Sequence, residues 1–282
     1  MLVFSVLMVL ATGMFGQSKR VRFGEGLKKK LVSFTSKVHR IGETKLALKL
    51  KNHSKDSLLV DLENGRIFDS DQNYQPVVCA RSKVLAVGPN ETKEFQIPGY
   101  CGNASAASSP EGFEGFVKTR MGPEEMVKIF TELQSLHLDD HNQMQSLVWM
   151  FTNGHQLSSI YTNDENSRRF VDIVSKTLKI NKPNYSVAYK APSEDSQYMF
   201  TGVPEKINAA INYTAKTDMS VDVVITDRNG KVIQYLKHFD NIVPGEYAME
   251  IESELKGVAQ GNYFLQVRDD KGRQLHQTIL EI

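Results

Sequence analysis

Two cysteines, Cys79 and Cys101, are of the residue type that can act as a nucleophile, bind a metal or form a cross-link. Cys101 lies in GYCGNASAASSPEG, where it ends an ordered-looking stretch and precedes small polar residues. Neither cysteine belongs to a CxxC motif or a Cys/His cluster, so we expect no zinc site. In an oxidising compartment a pair of cysteines more often forms a disulfide, which here would close a loop of about 22 residues. We therefore predict a disulfide between Cys79 and Cys101.

The N-terminus predicts export. Residues 1–16, MLVFSVLMVLATGMFG, carry no charge and are too short to span a bilayer of about 30 Å as a helix. Their length and composition match the apolar part of a signal peptide, with a cleavage site after Gly16. No Lys or Arg occurs between Met1 and Gly16, whereas signal peptides usually begin with basic residues. A buried N-terminal strand or helix is the alternative interpretation of this segment. We expect a periplasmic, cell-surface or extracellular protein with no transmembrane helix in the mature chain.

The charges disfavour nucleic acid as a partner. Lys and Arg total 34 against 33 for Asp and Glu, so no long-range field would attract a polyanion. The one basic run, QSKRVRFGEGLKKK, follows the predicted cleavage site. Runs of like charge are usually solvated, so we predict a flexible basic arm over residues 17–30.

Hydrophobic periodicity predicts a mainly β protein with a helical insert. Over residues 31–101 apolar residues recur with period two, as in TKLALKLKN, and turn-rich segments separate them, which is typical of a β-sandwich. Residues 102–120 are small and polar and predict a linker. Residues 121–181 change to helical spacing and predict three helices packed on the first sandwich. Short strands joined by turns then predict an immunoglobulin-like sandwich over residues 197–282.

Other motifs that could do chemistry are short. HLDDH places His137 and His141 four residues apart, a spacing that lets two imidazoles on one helix share a metal. A third ligand is not evident, and Asp139 or Asp140 is a good helix cap that would separate the histidines. NDEN, residues 163–166, lacks the alternating oxygens of a calcium loop and also predicts a cap. No nucleophile elbow or phosphate-binding loop occurs, so we predict no catalytic, cofactor or metal site.

The C-terminal 70 residues resemble a known class of domain. VDVVITDRNGKVI, PGEY and LKGVAQGNYFLQVRDDKGRQLHQTILEI are similar to the immunoglobulin-like C-terminal sorting domains of type IX secretion cargo, and to the sandwich of flagellar hook-capping proteins. The chain ends in Leu280-Glu281-Ile282, where sorting domains commonly end in a basic residue. The resemblance implies a protein of a diderm bacterium that secretion machinery recognises.

A second resemblance is to surface thioester domains. These pair a cysteine in a Tyr-Cys context with a glutamine in a Gln-x-x-apolar-Trp context, and this chain has Tyr100-Cys101 and Gln145-Ser146-Leu147-Val148-Trp149. Attack of the Cys101 thiol on the Gln145 amide would store an acylating bond for covalent adhesion. This interpretation competes with the disulfide, because it needs Cys101 as a thiolate.

These observations give two hypotheses of different classes. The first is an exported, non-enzymatic protein with a binding, adhesion or sorting role, whose partner is a cell-surface protein or a glycan. The alternative is a covalent adhesin that carries a thioester between Cys101 and Gln145.

Overall fold

The computed structural model describes residues 18–41, 43–79 and 81–282, with the side chains of residues 40–45 outside the description. The signal peptide predicted over residues 1–16 lies outside the described residues. The described helices are α1 (Phe23–Lys28), α2 (Glu124–Ser135), α3 (His141–Asn153) and α4 (Glu165–Leu178), with a 3₁₀ helix at Leu157–Ser159. The strands of the N-terminal part are β1 (Lys19–Arg22), β2 (Val32–Ile41), β3 (Glu43–Asn52), β4 (Leu58–Leu62), β5 (Arg66–Ser70), β6 (Val77–Cys79), β7 (Lys83–Val87), β8 (Thr92–Pro98), β9 (Tyr100–Cys101) and β10 (Phe116–Met121). The strands of the C-terminal part are β11 (Tyr185–Tyr189), β12 (Pro204–Ala215), β13 (Met219–Thr226), β14 (Val232–Ile242), β15 (Gly245–Glu254), β16 (Asn262–Asp269) and β17 (Gln274–Glu281).

Two three-stranded sheets enclose the first core. Their strand orders are β2-β3-β8 and β1-β4-β7. On β3 the residues Leu46, Leu48 and Leu50 are fully buried while Lys49 between them is exposed, because successive side chains of a strand point to opposite faces. The strands β1, β4 and β7 contribute Val21, Val60 and other apolar side chains to the same core. Burial of these faces holds the sheets together.

Within the flexible arm expected over residues 17–30, the described residues 18–30 are instead part of this layer. Residues Lys19 to Arg22 form β1, which pairs in parallel with β4. Val21 is 6% exposed and Phe23 is fully buried against Phe34 and Phe68. The charged residues of the run face solvent while these two apolar side chains enter the core, so the segment is an ordered edge.

A four-stranded sheet, β10-β5-β6-β9, carries the helices. One of its faces contributes Ile67, Val78 and Tyr100 to a second core, which the buried sides of α2, α3 and α4 complete. Neighbouring residues Val77 and Cys79 belong to the first core, so this sheet separates the two cores. The strand β10 begins inside the segment 102–120 that was expected to be a linker, and Phe116 on it is buried.

The helices begin and end where the sequence provides caps. Asp140 accepts hydrogen bonds from the amides of Asn142 and Gln143 at the start of α3. Asp164 and Ser167 form a capping box at the start of α4. Gly154 ends α3 with a φ of 70°, a backbone conformation that glycine adopts without steric cost.

The C-terminal part is a sandwich of two antiparallel sheets with the orders β11-β12-β15 and β14-β13-β16-β17. Its core is built from alternating residues such as Ile207, Ile211, Val223, Leu265 and Val267. The sandwich begins at Tyr185, earlier than the expected residue 197, because β11 pairs with β12 across the connection of residues 190–203. The prediction of a mainly β fold with a helical insert is confirmed. Within the described residues, no helix is both long and apolar enough to cross a bilayer.

Candidate ligand-binding cleft

The structure places His137 and His141 apart from any shared helix face. His137 follows the end of α2 with a φ of 55°, and His141 is the first residue of α3. The ring of His141 stacks on Tyr100, with 5.1 Å between the ring centroids. Asp140 is the cap, as one interpretation of HLDDH expected. In the described part of the chain, no three metal-ligating side chains are grouped closely enough to hold an ion.

The predicted disulfide is not present. Cys79 and Cys101 are both buried, and the structure contains no bond between their sulfur atoms. Cys101 on β9 pairs with Val77 on the antiparallel strand β6. Cys79 lies two residues after Val77 on β6, so the two cysteines are diagonal neighbours. Diagonal positions of this kind place Cα atoms about 7–8 Å apart, beyond the usual span of a disulfide. The prediction of a disulfide is therefore corrected: the structure has two separate cysteines on one face of the sheet.

Cys79 sits in an unreactive environment. Its Sγ donates to the carbonyl oxygen of Arg81 at 3.0 Å. Burial of the side chain raises the pKa of the thiol to about 12, because a thiolate would lose its hydration. The thiol is thus the stable form of Cys79 at neutral pH.

The second predicted pair, Cys101 and Gln145, does meet in the fold. The Cys101 amide donates to Gln145 Oε1 at 2.9 Å, and Gln145 Nε2 donates to the Cys101 carbonyl at 2.8 Å. Gln145 is 7% exposed on α3, and its carboxamide thereby pairs with the edge strand β9 as another strand would. Both polar atoms of the amide are used by the Cys101 peptide. The contact positions the strand.

Polar contacts join the helical layer to the C-terminal sandwich through residues 161–168. The Thr162 amide donates to Ser186 Oγ at 3.0 Å, and Asn208 Nδ2 donates to the Thr162 carbonyl at 2.6 Å. Tyr161 Oη donates to Glu252 at 2.9 Å. Burial and the hydrogen bond to this carboxylate raise the pKa of the Tyr161 hydroxyl, so it stays a donor. These bonds fix the position of the sandwich relative to the helices.

A cleft of about 580 Å³ opens beside this joint, and we name it the junction cleft. It lies between α3, residues 159–164, the end of β11 and the connection 190–203. Neutral polar and aromatic side chains dominate its walls, and Asp140, Asp164 and Lys190 are the charged residues among those that line it. A cavity of about 410 Å³ shares His155, Ser159, Tyr189 and Phe200 with the cleft and extends it toward Gln260.

Four aromatic rings form one wall of the junction cleft. Phe200 lies at the centre, with its ring centroid 4.8 Å from His155, 4.9 Å from Tyr189 and 5.6 Å from Trp149. Burial lowers the pKa of His155, so this ring is neutral at pH 7. Trp149 is 6% exposed, and its indole Nε1 has no hydrogen-bond partner within the described part of the chain.

Aromatic rings, amides and hydroxyls make up most of the described lining of the junction cleft. Its lining residues include no cysteine, and no nucleophile with an adjacent base and a further orienting group is evident among the described contacts. Side chains of these kinds can bind a polar organic molecule. The sequence analysis identified Trp149 through its motif but missed Tyr189, His155 and Phe200, since these residues come from three separate segments. The features of the sequence that could have pointed to them are a tyrosine at the end of β11 and an aromatic residue in the long connection that follows it.

No family model matches the chain, and no curated protein matches its sequence. Two solved structures are similar at a low level. A β-glucosidase from Kluyveromyces marxianus is 10% identical, with 86% of this chain and 45% of that chain covered and a TM-score of 0.22. DesR, a β-glucosidase from Streptomyces venezuelae solved in complex with D-glucose, is 7% identical, with 89% and 47% covered and a TM-score of 0.19. The chain spans less than half the length of each, and similarity at these TM-scores carries no argument.

Proposed function

We propose that the protein is an exported, non-enzymatic binding protein and that the junction cleft is its site for a glycan. The observation that carries the proposal is the cluster of four aromatic rings that lines, together with neutral amide and hydroxyl side chains, a cleft of about 580 Å³. Such a volume is in the range of sites for small organic ligands.

The chemistry of the walls fits a sugar better than a strongly charged ligand. A pyranose ring has apolar C–H faces that pack on aromatic rings, and hydroxyls around its edge. Asn142, Gln143 and Asn163 line the cleft, and each side-chain amide can both donate to and accept from a hydroxyl. Aromatic packing supplies apolar contact area, and the amides orient the hydroxyls.

Export and sorting rest on the sequence. The apolar leader over residues 1–16 supports delivery to the periplasm, cell surface or medium. The C-terminal sandwich, through its resemblance to sorting domains, would serve recognition by secretion machinery or attachment. A glycan-binding site in the joint between this sandwich and the helices suits a protein that works at a cell surface.

The test is binding to a panel of soluble oligosaccharides and polysaccharides, measured by affinity electrophoresis and by calorimetry for each binder. We expect at least one member to bind, and Phe200→Ala to weaken that binding at least tenfold because the aromatic wall loses its centre. Tyr235→Ala is the matched control, because Tyr235 is an exposed aromatic residue on β14, 66% accessible, that does not line the cleft. Thermal unfolding of both variants checks that they fold. Equal loss in the two variants, or no binder in the panel, would refute the proposal.

A covalent adhesin with a thioester between Cys101 and Gln145 is the second candidate. The direct contact of the Gln145 amide with the Cys101 peptide favours it, because this contact holds the two reacting residues side by side. Thioester formation would transfer the acyl group of Gln145 to Cys101 Sγ and release ammonia, which lowers the intact mass by about 17 mass units. A mass that is lower by this amount, and that rises by the mass of one methylamine molecule when the amine opens the thioester and frees the thiol, would establish this candidate and displace the first.

A further inference from the structure

The charges of the chain are divided unequally along its length. Residues 1–101 contain 16 Lys and Arg against 9 Asp and Glu, whereas residues 102–282 contain 18 against 24. The small net charge of the whole chain therefore hides a basic N-terminal part and an acidic remainder. Charge asymmetry of this kind indicates that the basic part has a partner of opposite charge.

Part of the basic excess gathers at one end of the N-terminal sheets, where three connections meet. The His53 amide donates to the Leu31 carbonyl at 2.8 Å, which joins the connection after α1 to the one after β3. The Asn90 amide donates to the Ser54 carbonyl at 3.1 Å and brings in the connection between β7 and β8. Six lysines lie in or beside these connections, and we name the surface that they form the lysine end: Lys19, Lys28, Lys29, Lys30, Lys51 and Lys55.

Most ammonium groups of the lysine end lack a compensating carboxylate. All six lysines are exposed except Lys51, which is half-buried. Lys29 pairs with Glu25, and among the described residues no ion pair joins the other five lysines to a carboxylate. Asp56 and Glu91 are the acidic residues of the three connections. The surface therefore carries six lysines against three carboxylates, and it attracts anions.

The apolar N-terminal segment joins the described chain at this same end. The Lys19 amide donates to the Ser57 carbonyl at 3.0 Å, so β1 starts beside the connection of residues 53–57. Residues 1–16 carry no charge, and the described chain begins two residues later, at Ser18. Apolar segments partition into the lipid interface, and basic side chains next to them interact with anionic headgroups. Together they favour a lipid surface over a soluble polyanion.

We propose that the lysine end binds the surface of an anionic lipid bilayer. Its ammonium groups donate to the phosphate oxygens of the headgroups, which accept charge-assisted hydrogen bonds. The acidic remainder of the chain is repelled by the same headgroups, so the charge asymmetry also orients the molecule on the bilayer. This surface is independent of the junction cleft and of the glycan proposed there.

Co-sedimentation of the full chain with vesicles tests the proposal. The vesicles contain phosphatidylcholine alone or phosphatidylcholine with about 30% phosphatidylglycerol, and residues 1–16 are common to every sample. We expect the anionic vesicles to bind at least tenfold more tightly at low salt, and this preference to fall at least fivefold in about 0.5 M NaCl because salt screens exposed charges. Equal binding to the two kinds of vesicle would overturn the proposal. Release of most of the protein by polygalacturonate at the same charge concentration would also overturn it, in favour of an acidic polysaccharide.

Charge-matched variants assign the binding to the lysine end. The first variant combines three substitutions after α1: Lys28→Gln, Lys29→Gln and Lys30→Gln. The control combines three at the end of α4, also exposed: Lys176→Gln, Lys179→Gln and Lys182→Gln. Each set contains one lysine in an ion pair and one with a φ of 55°, so the two variants are closely matched.

The two variants should differ in their binding to the anionic vesicles. We expect the first to lose at least tenfold in affinity and the control to change less than twofold, with thermal unfolding showing that both are folded. Lys55→Gln, from a separate connection, should weaken the binding as well. Equal losses in the two triple variants, or an unchanged affinity in the first, would contradict the assignment.

Discussion

Gln145 fixes the edge strand that carries Cys101. Replacing it by Ala removes two buried hydrogen bonds to the Cys101 peptide. A buried group that loses its partner costs about 1–3 kcal/mol, so we expect Gln145→Ala to lower the free energy of unfolding by about 2–4 kcal/mol. Urea unfolding followed by circular dichroism measures the change. Asn142→Ala, at an exposed position of the same helix, should stay within about 0.5 kcal/mol, and equal values for the two variants would contradict the role of Gln145.

Cys79 should be unreactive in the folded protein. Burial raises the pKa of its thiol to about 12, so the thiolate that reacts is scarce at pH 8. In the Cys101→Ser variant, which isolates Cys79, we expect the reaction with Ellman's reagent to be slower by about a hundredfold or more than in the same variant unfolded in guanidinium chloride. Equal rates in the two states would show that burial does not protect this thiol.

His238 should titrate above the usual range of histidine. Its ring nitrogens lie 2.7 Å from Asp222 Oδ1 and 3.0 Å from Asp240 Oδ1, and these hydrogen bonds raise the pKa of the imidazole. The stabilisation by the charged ring is fully present below the unfolded pKa of His and is lost as the pH rises through the raised folded pKa. In an NMR titration, Asp222→Asn should lower this pKa, while Asp218→Asn should leave it unchanged. A pKa of His238 that is the same in both variants would contradict this account.

At the scale of the element, the start of α4 depends on its capping box. Asp164 accepts from the Ser167 amide at 3.0 Å, and Ser167 Oγ accepts from the Asp164 amide at 3.2 Å. Asp164→Ala should lower the free energy of unfolding by about 1 kcal/mol, the usual value for loss of an N-cap. Thermal unfolding compares it with Asn166→Ala, an exposed position in the first turn of the same helix. A loss in the Asn166 variant as large as that in the Asp164 variant would argue against the cap.

The local sequence pattern predicted the helices and strands that depend on interactions between residues close in sequence. The alternation of Leu46, Leu48 and Leu50 identified β3. The cap candidates Asp139 or Asp140, and Asn163 or Asp164, located two helix starts, where the structure uses Asp140 and Asp164. The ordered segment Lys19–Lys28 was missed because its charges outnumber its apolar residues. Its order comes from parallel pairing with β4, which lies far along the chain and leaves no periodic signal nearby.

At the scale of the whole molecule, the proposed binding site is a product of tertiary packing. Trp149 comes from α3, Tyr189 from β11 and Phe200 from the connection that follows it. The sequence could predict the two sandwiches and the helical insert, but not that their joint would bring these rings together. The disulfide prediction failed for a related reason, since sequence spacing does not reveal the two-residue offset between Cys79 and Cys101 on neighbouring strands.

The most direct test of glycan binding uses Trp149, because it is the only tryptophan of the chain and lies in the wall of the junction cleft. The measurement is a fluorescence titration of the full protein with the oligosaccharide that binds best in the panel. We predict a saturable change in tryptophan emission whose midpoint equals the calorimetric dissociation constant and shifts at least tenfold in Phe200→Ala. Binding that leaves the emission of Trp149 unchanged would contradict the assignment of the ligand to this cleft.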